Sequence, residues 1–165
     1  MGISLSASKR VEKSLTNSSQ FNTACDSTFS HCLSLTQHSF HGVFPYQLKS
    51  ASDHLHSLLL RHPLIRKWVP SPPDHSHVDS AFRAVTRHTD GNLIGPGLFK
   101  EWAVRLYTDA VLSGASKAVI LRVPVGAVGI AGVGVVSRAG GRVVGTAIGA
   151  YSLGVVVSIF LGLSG

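Results

Sequence analysis

The sequence predicts an all-α protein, in which a small cytosolic helical head of about four helices precedes a glycine-rich transmembrane helical hairpin. Apolar residues of the head recur at three- to four-residue steps, a spacing typical of amphipathic helices. No stretch shows the two-residue alternation expected of a half-buried strand. Residues 143–163 carry no charge, and a helix of that length would reach roughly 31 Å, the thickness of a bilayer's hydrocarbon core.

Charge is spread unevenly along the chain. All eight acidic residues and eleven of the 15 basic residues precede residue 110, so this part is only mildly basic at +3. The remaining segment carries four basic residues and no acidic one, beside apolar stretches where they can meet lipid head groups. A nucleic-acid-binding domain would instead cluster basic and aromatic residues on its soluble part. We therefore expect membrane lipid, and no nucleic acid, among the partners.

The first 20 residues predict a flexible N-terminal segment with a lipidation signal. Gly2 follows the removable Met1, and Ser6 lies four places further on, which fits the acceptor pattern for N-myristoylation at Gly2. Basic residues follow closely and could supply the second membrane signal that a single acyl chain needs. A disordered Ser-rich tail with an unmodified Gly2 is the alternative.

Two cysteines and the polar N-terminus place the head in the cytosol. Cys25 and Cys32 are seven residues apart on one predicted helix face, a separation of about 10 Å that no disulfide bridges. We expect both thiols to be reduced and half-buried. The first 20 residues lack the apolar core of a signal peptide.

The head spans residues 21–112 and is predicted to hold four helices. The first covers 21–40, and the second opens at Pro45 and ends before Pro63. A short apolar cap at 64–69 and a Pro-rich extended linker at 70–76 follow. Asp79 or Ser80 caps the third helix, and the fourth follows the Asp90-Gly91 turn. The main positions assigned to buried helix faces are Phe21, Phe29, Phe40, Leu48, Leu55, Phe82, Val85, Leu98, Trp102 and Leu106.

Residues 78–105 resemble an EF-hand that has lost its ligands. With Thr86 first in the twelve-residue loop, Asp90 and Gly91 take the fifth and sixth places and Leu93 the apolar eighth. Gly97 stands where the bidentate Glu belongs. Because Ca²⁺ wants six to eight oxygen ligands, the resemblance implies little or no calcium binding. The residues of the degenerate loop are Thr86, His88, Asp90 and Asn92.

The same resemblance extends to a first loop at residues 42–45, so the four helices would suit a degenerate pair of such hands. An unrelated helix–turn–helix is the other interpretation of the segment.

No catalytic, cofactor or metal site is predicted, and we expect no enzyme. The glycines of residues 129–134 lack the dinucleotide-binding order, and no nucleophile elbow or P-loop occurs. Among the histidines, His54 and His56 point in different directions on a helix, whereas His75 and His77 lie in the Pro-rich linker and could bind an ion only weakly. We expect solvated histidines and no metal.

The tail is predicted to contain two membrane spans, 118–136 and 143–163. Eleven Val, Ile, Leu and Phe side chains in the second span favour insertion by about 3 to 7 kcal/mol. Residues 137–142 would turn the chain between antiparallel helices, which leaves both ends in the cytosol. A single, tail-anchored span is the alternative, because it keeps every tail cation on one side. Glycines at four-residue spacing would let helices approach closely: Gly141, Gly145 and Gly149.

These features predict a non-enzymatic, membrane-anchored adaptor or regulatory protein. Its head would bind a protein partner, which the sequence does not identify, while the glycine-rich helices anchor it and support a homo-oligomer. The first alternative is a glycine-zipper membrane-active or channel-like assembly. The second is an EF-hand-like protein with little or no calcium binding.

Overall fold

The structure, a computed structural model, describes residues 2–89, 92–136 and 162, with side chains for 5–89 and 92–121. Within these residues every regular element is helical and no strand forms, so the all-α prediction is confirmed for this part of the chain. A short 3₁₀ helix, Pro45–Gln47, precedes the third α-helix. The α-helices are α1 (Gly2–Asn17), α2 (Ser19–Leu35), α3 (Leu48–Leu59), α4 (Pro63–Trp68), α5 (His75–Thr86) and α6 (Pro96–Val136).

The N-terminal segment differs from the expectation of a flexible tail, because residues 2–17 form α1. Three apolar residues at four-residue spacing, Ala7, Val11 and Leu15, are buried on this helix, and α1 packs against α2. Only one apolar side chain per turn faces the core, so the many polar residues between them conceal the helical period in the sequence. Gly2 is the first residue of α1.

The core of the first compact unit, Met1–Leu112, gathers around the first turns of α6. Of the positions assigned to the buried face of that helix, Trp102 and Leu106 are fully buried and Leu98 is half-buried. Phe21 of α2 meets Tyr107 edge to face, with ring centroids 6.1 Å apart. Tyr107 Oη also donates a hydrogen bond to the carbonyl of Ser52 in α3, at 3.3 Å. The start of α6 therefore joins α2 to α3.

Two helix boundaries differ from those predicted. The helix α2 ends at Leu35 and not at residue 40, because Gln37 and His38 adopt left-handed backbone angles with φ of 52° and 56°. The helix α5 begins five residues early, because the Asp74 carboxylate accepts the backbone N–H of His77 at 3.0 Å. Asp74 is thus the N-cap, and the extended part of the predicted linker stops there.

The second unit is Ser113–Gly165, and α6 extends into it as far as Val136. Among the described residues, no helix has both the length and the apolar character that a membrane crossing requires. The turn at 137–142 and the glycines Gly141, Gly145 and Gly149 lie outside the described residues, as does all of the 143–163 span except Gly162.

Candidate functional site

Two loops lie side by side in the N-terminal unit. The first covers residues 36–47 and the second 87–95, of which 90 and 91 are outside the described residues. Val43 and Ile94 form an isolated antiparallel bridge in which each backbone N–H donates to the other's carbonyl at 2.9 Å. Both side chains are fully buried. We call these segments the paired loops.

Gly42 is required for this pairing. A Cβ atom added at Gly42 would lie 2.8 Å from the carbonyl oxygen of Ile94 and 3.2 Å from Leu93 Cδ2. Contacts that close to backbone leave no room for a side chain. The loop between α2 and α3 and the loop between α5 and α6 therefore approach each other closely at Gly42 and Ile94.

The register of the second loop differs from the alignment based on the EF-hand resemblance. That alignment puts Leu93 at the apolar place, whereas the structure buries Ile94 and leaves Leu93 39% exposed. A sequence signal for the observed register exists. Val43 and Ile94 are each followed, two residues later, by a proline that begins a helical turn, Pro45 and Pro96.

Three of the four residues of the degenerate loop lie among the described residues. Thr86 ends α5, and its Oγ1 donates to the carbonyl of Phe82 at 2.8 Å. His88 and Asn92 are exposed, and Asp90 is outside the described residues. Within the part of the chain that the structure describes, no three or more metal-ligating side chains form a group.

The first loop presents a cluster of three aromatic side chains, of which two are exposed and Phe44 is half-buried. Phe40 and Phe44 meet edge to face at 4.9 Å, and Phe44 stacks on Tyr46 at 5.5 Å between ring centroids. Tyr46 is 74% exposed and Phe40 44%. Leu93 adds an apolar side chain from the second loop, beside Gly42. We call Phe40, Phe44, Tyr46 and Leu93 the aromatic loop surface.

Hydrogen bonds fix this loop to α2. The side chain of Gln47 accepts from the N–H of Phe44 at 2.9 Å and donates to the carbonyl of Cys32 at 3.2 Å. Phe40, assigned by its spacing to a buried helix face, lies beyond the end of α2 and is exposed instead. The cause is the left-handed turn at Gln37 and His38, which helical periodicity does not reveal.

Large exposed aromatic residues held on an ordered loop are typical of protein-binding surfaces. The same two loops also carry exposed basic or imidazole side chains, at His38, His41, Arg87 and His88.

The N-terminal unit also has a cleft of about 490 Å³ lined by residues of α1, α2, α5 and α6. Lys100 and Arg105 line it, but each is already paired, with Asp26 at 2.9 Å and with Asp109 at 3.2 Å. Glu12 and Glu101 line it as well. Because both cations are engaged by carboxylates, they do not mark a site for an anionic ligand.

The thiols and buried imidazoles have structural roles. Cys25 and Cys32 are free and buried, and burial raises the pKa of Cys32 to about 11, so neither supplies a thiolate at neutral pH. His56 Nε2 bonds the carbonyl of Val69 at 2.9 Å. His62 Nε2 bonds Ser18 Oγ at 3.2 Å, while that oxygen caps α2 by accepting the N–H of Phe21. Ser18 is thus a helix cap.

One further imidazole pair was missed by reasoning along the chain. The rings of His31 in α2 and His54 in α3 stack with centroids 4.3 Å apart and planes at 15°. Burial, and then the neighbouring His31, lowers the pKa of His54. The two residues are 23 positions apart, so no local spacing could have indicated their contact.

Comparison of the chain with family models, with curated proteins and with solved structures gives no match.

Proposed function

We propose that this chain is a non-enzymatic membrane-anchored adaptor, whose head binds a protein partner through the aromatic loop surface. The observation that carries the proposal is the Phe40–Phe44–Tyr46 cluster, in which Phe40 and Tyr46 are exposed, on a loop held by hydrogen bonds. Aromatic residues supply much of the binding energy of protein interfaces when a partner covers them. Here three of them are gathered on one ordered loop.

The chemistry of the described residues supports binding over catalysis. The two thiols are buried and protonated, and Ser18, whose hydroxyl contacts the imidazole of His62, is occupied as a helix cap. The aromatic loop surface offers contact area but no nucleophile or general base.

The anchoring role rests on the uncharged sequence of residues 143–163. Its length suits one bilayer crossing, with the head in the cytosol and with 118–136 as the other arm of a hairpin. Alkaline carbonate washing of cell membranes should leave the full-length chain in the pellet. Recovery of the chain in the supernatant would contradict the proposed membrane anchor.

Acylation of Gly2 would add a second attachment. After removal of Met1, the N-terminal peptide of the protein from eukaryotic cells should then be about 210 Da heavier than the mass of its sequence from Gly2, the mass added by a myristoyl group. An N-terminal peptide of unmodified mass would exclude acylation of Gly2.

Photo-cross-linking tests the docking surface directly. Benzoylphenylalanine placed at Tyr46 in the membrane-bound full-length protein should yield a discrete adduct after irradiation. Leu60, 50% exposed in the turn after α3, is the matched control position and should give none. Adding Phe40→Ser should abolish the adduct at position 46. No adduct at Tyr46, or the same adducts at both positions, would contradict the adaptor role.

A second candidate function is a glycine-zipper membrane assembly, favoured by the spacing of Gly141, Gly145 and Gly149. Small residues at four-residue intervals bring membrane helices into contact. Gly145→Leu would then abolish oligomers without affecting insertion. An adaptor should tolerate replacement of the tail by an unrelated span, whereas an assembly of tails should not. Calcium titration of the full chain should produce no change under either function.

A further inference from the structure

The histidines of the N-terminal unit fall into distinct groups by their contacts. Three rings are held by hydrogen bonds to carbonyl, hydroxyl or carboxylate oxygens: His56, His62 and His77. His31 and His54 differ, since their rings contact each other but have no hydrogen-bond partner among the described residues. Their ring nitrogens are therefore open to an external ligand.

Neither residue is locked inside the core. His31 is exposed and His54 half-buried, so water and small ions reach both rings. The charged residues nearest to His54 along α3, Lys49 and Asp53, are paired with each other. No unpaired cation on α3, a helix described in full, opposes an incoming metal ion.

We infer that His31 and His54 form a two-histidine site for a divalent transition-metal ion, such as Zn²⁺ or Cu²⁺, which links α2 to α3. Imidazole nitrogen is a preferred ligand of both ions. At Zn–N distances near 2.0 Å, two nitrogens on one tetrahedral ion lie about 3.4 Å apart. The rings now stack face to face, with centroids 4.3 Å apart and planes at 15°, so their nitrogen lone pairs do not converge in this arrangement. To bind one ion together, both accessible rings must rotate about their side-chain torsions until a nitrogen of each points at the ion.

The site would be an open one. Two protein ligands leave the remaining positions to water, and the free ring nitrogens have no acceptor among the described residues to orient them. We therefore expect affinity well below that of a closed structural zinc site. Its structural effect is specific, because the bound ion would fasten the two helices that flank the loop carrying Phe40, Phe44 and Tyr46.

Calorimetric titration of zinc chloride into the metal-free full-length protein in nanodiscs tests the site. His31→Phe and His54→Phe keep an aromatic ring in the stack but remove the ligand nitrogens. Because the second imidazole binds intramolecularly, each variant should weaken zinc binding by about 100-fold. The matched control, His75→Gln with His77→Gln, removes the other closely spaced pair and should leave binding unchanged.

Two outcomes would overturn the inference: equal zinc affinity in His54→Phe and the unmodified protein, or loss of binding in the control. Cu²⁺ gives an independent readout through its electron paramagnetic resonance spectrum. Coupling to two imidazole nitrogens is expected in the unmodified protein and to one in His54→Phe. Coupling to a single nitrogen in the unmodified protein would also contradict a two-histidine site.

Discussion

The head has two halves, α2 and α3 with the first loop between them and α5 and α6 with the second. The two loops form one backbone bridge but present different side chains. In each half, a loop between helices contributes one fully buried residue, Val43 or Ile94, to the bridge. The first loop carries three clustered aromatic rings, of which Phe40 and Tyr46 are exposed, and ends in a 3₁₀ turn. The second, in its described part, presents only Leu93 as a large exposed apolar side chain. The pairing thus uses backbone hydrogen bonds and one buried side chain from each loop, which leaves other side chains of the first loop available for binding.

The largest expected effect is on the bridge. Ile94→Ala should lower the free energy of unfolding by about 2–5 kcal/mol, because a fully buried side chain leaves a cavity. Leu93→Ala is the matched control in the same loop and should cost less than about 1 kcal/mol, since that side chain is 39% exposed. Chemical denaturation of both variants measures the difference. If Leu93→Ala were the more destabilising of the two, the register based on the EF-hand resemblance, in which Leu93 takes the apolar place, would be supported instead.

A smaller effect is expected from the close approach at Gly42. The added methyl group of Gly42→Ala would meet the Ile94 carbonyl, which should destabilise the unit by about 1–3 kcal/mol. Gly97→Ala is the control. Nothing lies within 4 Å of its new Cβ, so alanine in the first turn of α6 should be neutral or stabilising by up to about 1 kcal/mol. Equal thermal midpoints for the two variants would show that the loops are not closely paired.

The two halves should also respond to acid at different pH values. Burial lowers the pKa of His62 below 6.5, and its Nδ1 is buried without a hydrogen-bond partner among the described residues. The unfolded chain then binds the proton more readily. Stability is full above pH 6.5 and falls below it, by at most about 1.4 kcal/mol per pH unit.

In the second half the titrating group is Asp74. Hydrogen bonds from the His77 N–H, Ser76 and the His77 ring lower its pKa well below 3.8, so its contribution is present above that pH and lost only in stronger acid. Urea unfolding at about pH 7 and about pH 5 should show a stability loss that His62→Gln reduces and Asp74→Asn leaves unchanged. If His62→Gln lost as much stability as the unmodified protein over this pH range, the loss would have to come from other histidines.

The smallest effect on stability is expected on the aromatic loop surface itself. Tyr46→Ser should change the unfolding free energy by less than about 0.5 kcal/mol, because that ring is 74% exposed. It should nonetheless weaken binding of the cross-linked partner. Leu60→Ser is the control for a comparable loss of exposed apolar area. A large loss of stability in Tyr46→Ser would mean that the ring supports the fold and is not reserved for binding.

Helical periodicity predicted the parts of the fold in which buried apolar residues recur at every turn of one helix. Trp102 and Leu106 repeat every four residues and are buried as expected. Contacts between distant residues could not be predicted this way: Val43 reaches Ile94 across 51 positions, and His31 reaches His54 across 23. The N-cap of α5 was misplaced because Asp74 follows a Pro-rich stretch, and α1 was concealed by its serines.

For the candidate site, the sequence predicted a pair of loops but did not indicate which of their side chains are exposed. The left-handed turn at Gln37 and His38 moves Phe40 from an apparent core position to the surface. Such a turn at two non-glycine residues costs about 1–2 kcal/mol each and leaves no clear sequence mark.

Cys25 and Cys32 provide a built-in reporter for local opening. Both lie on α2, the helix to which Gln47 fastens the first loop. A thiol-reactive maleimide should modify them only when that helix separates from its neighbours. The rate of alkylation under native conditions would therefore measure how often the aromatic loop loses its support, with no probe introduced at the loop.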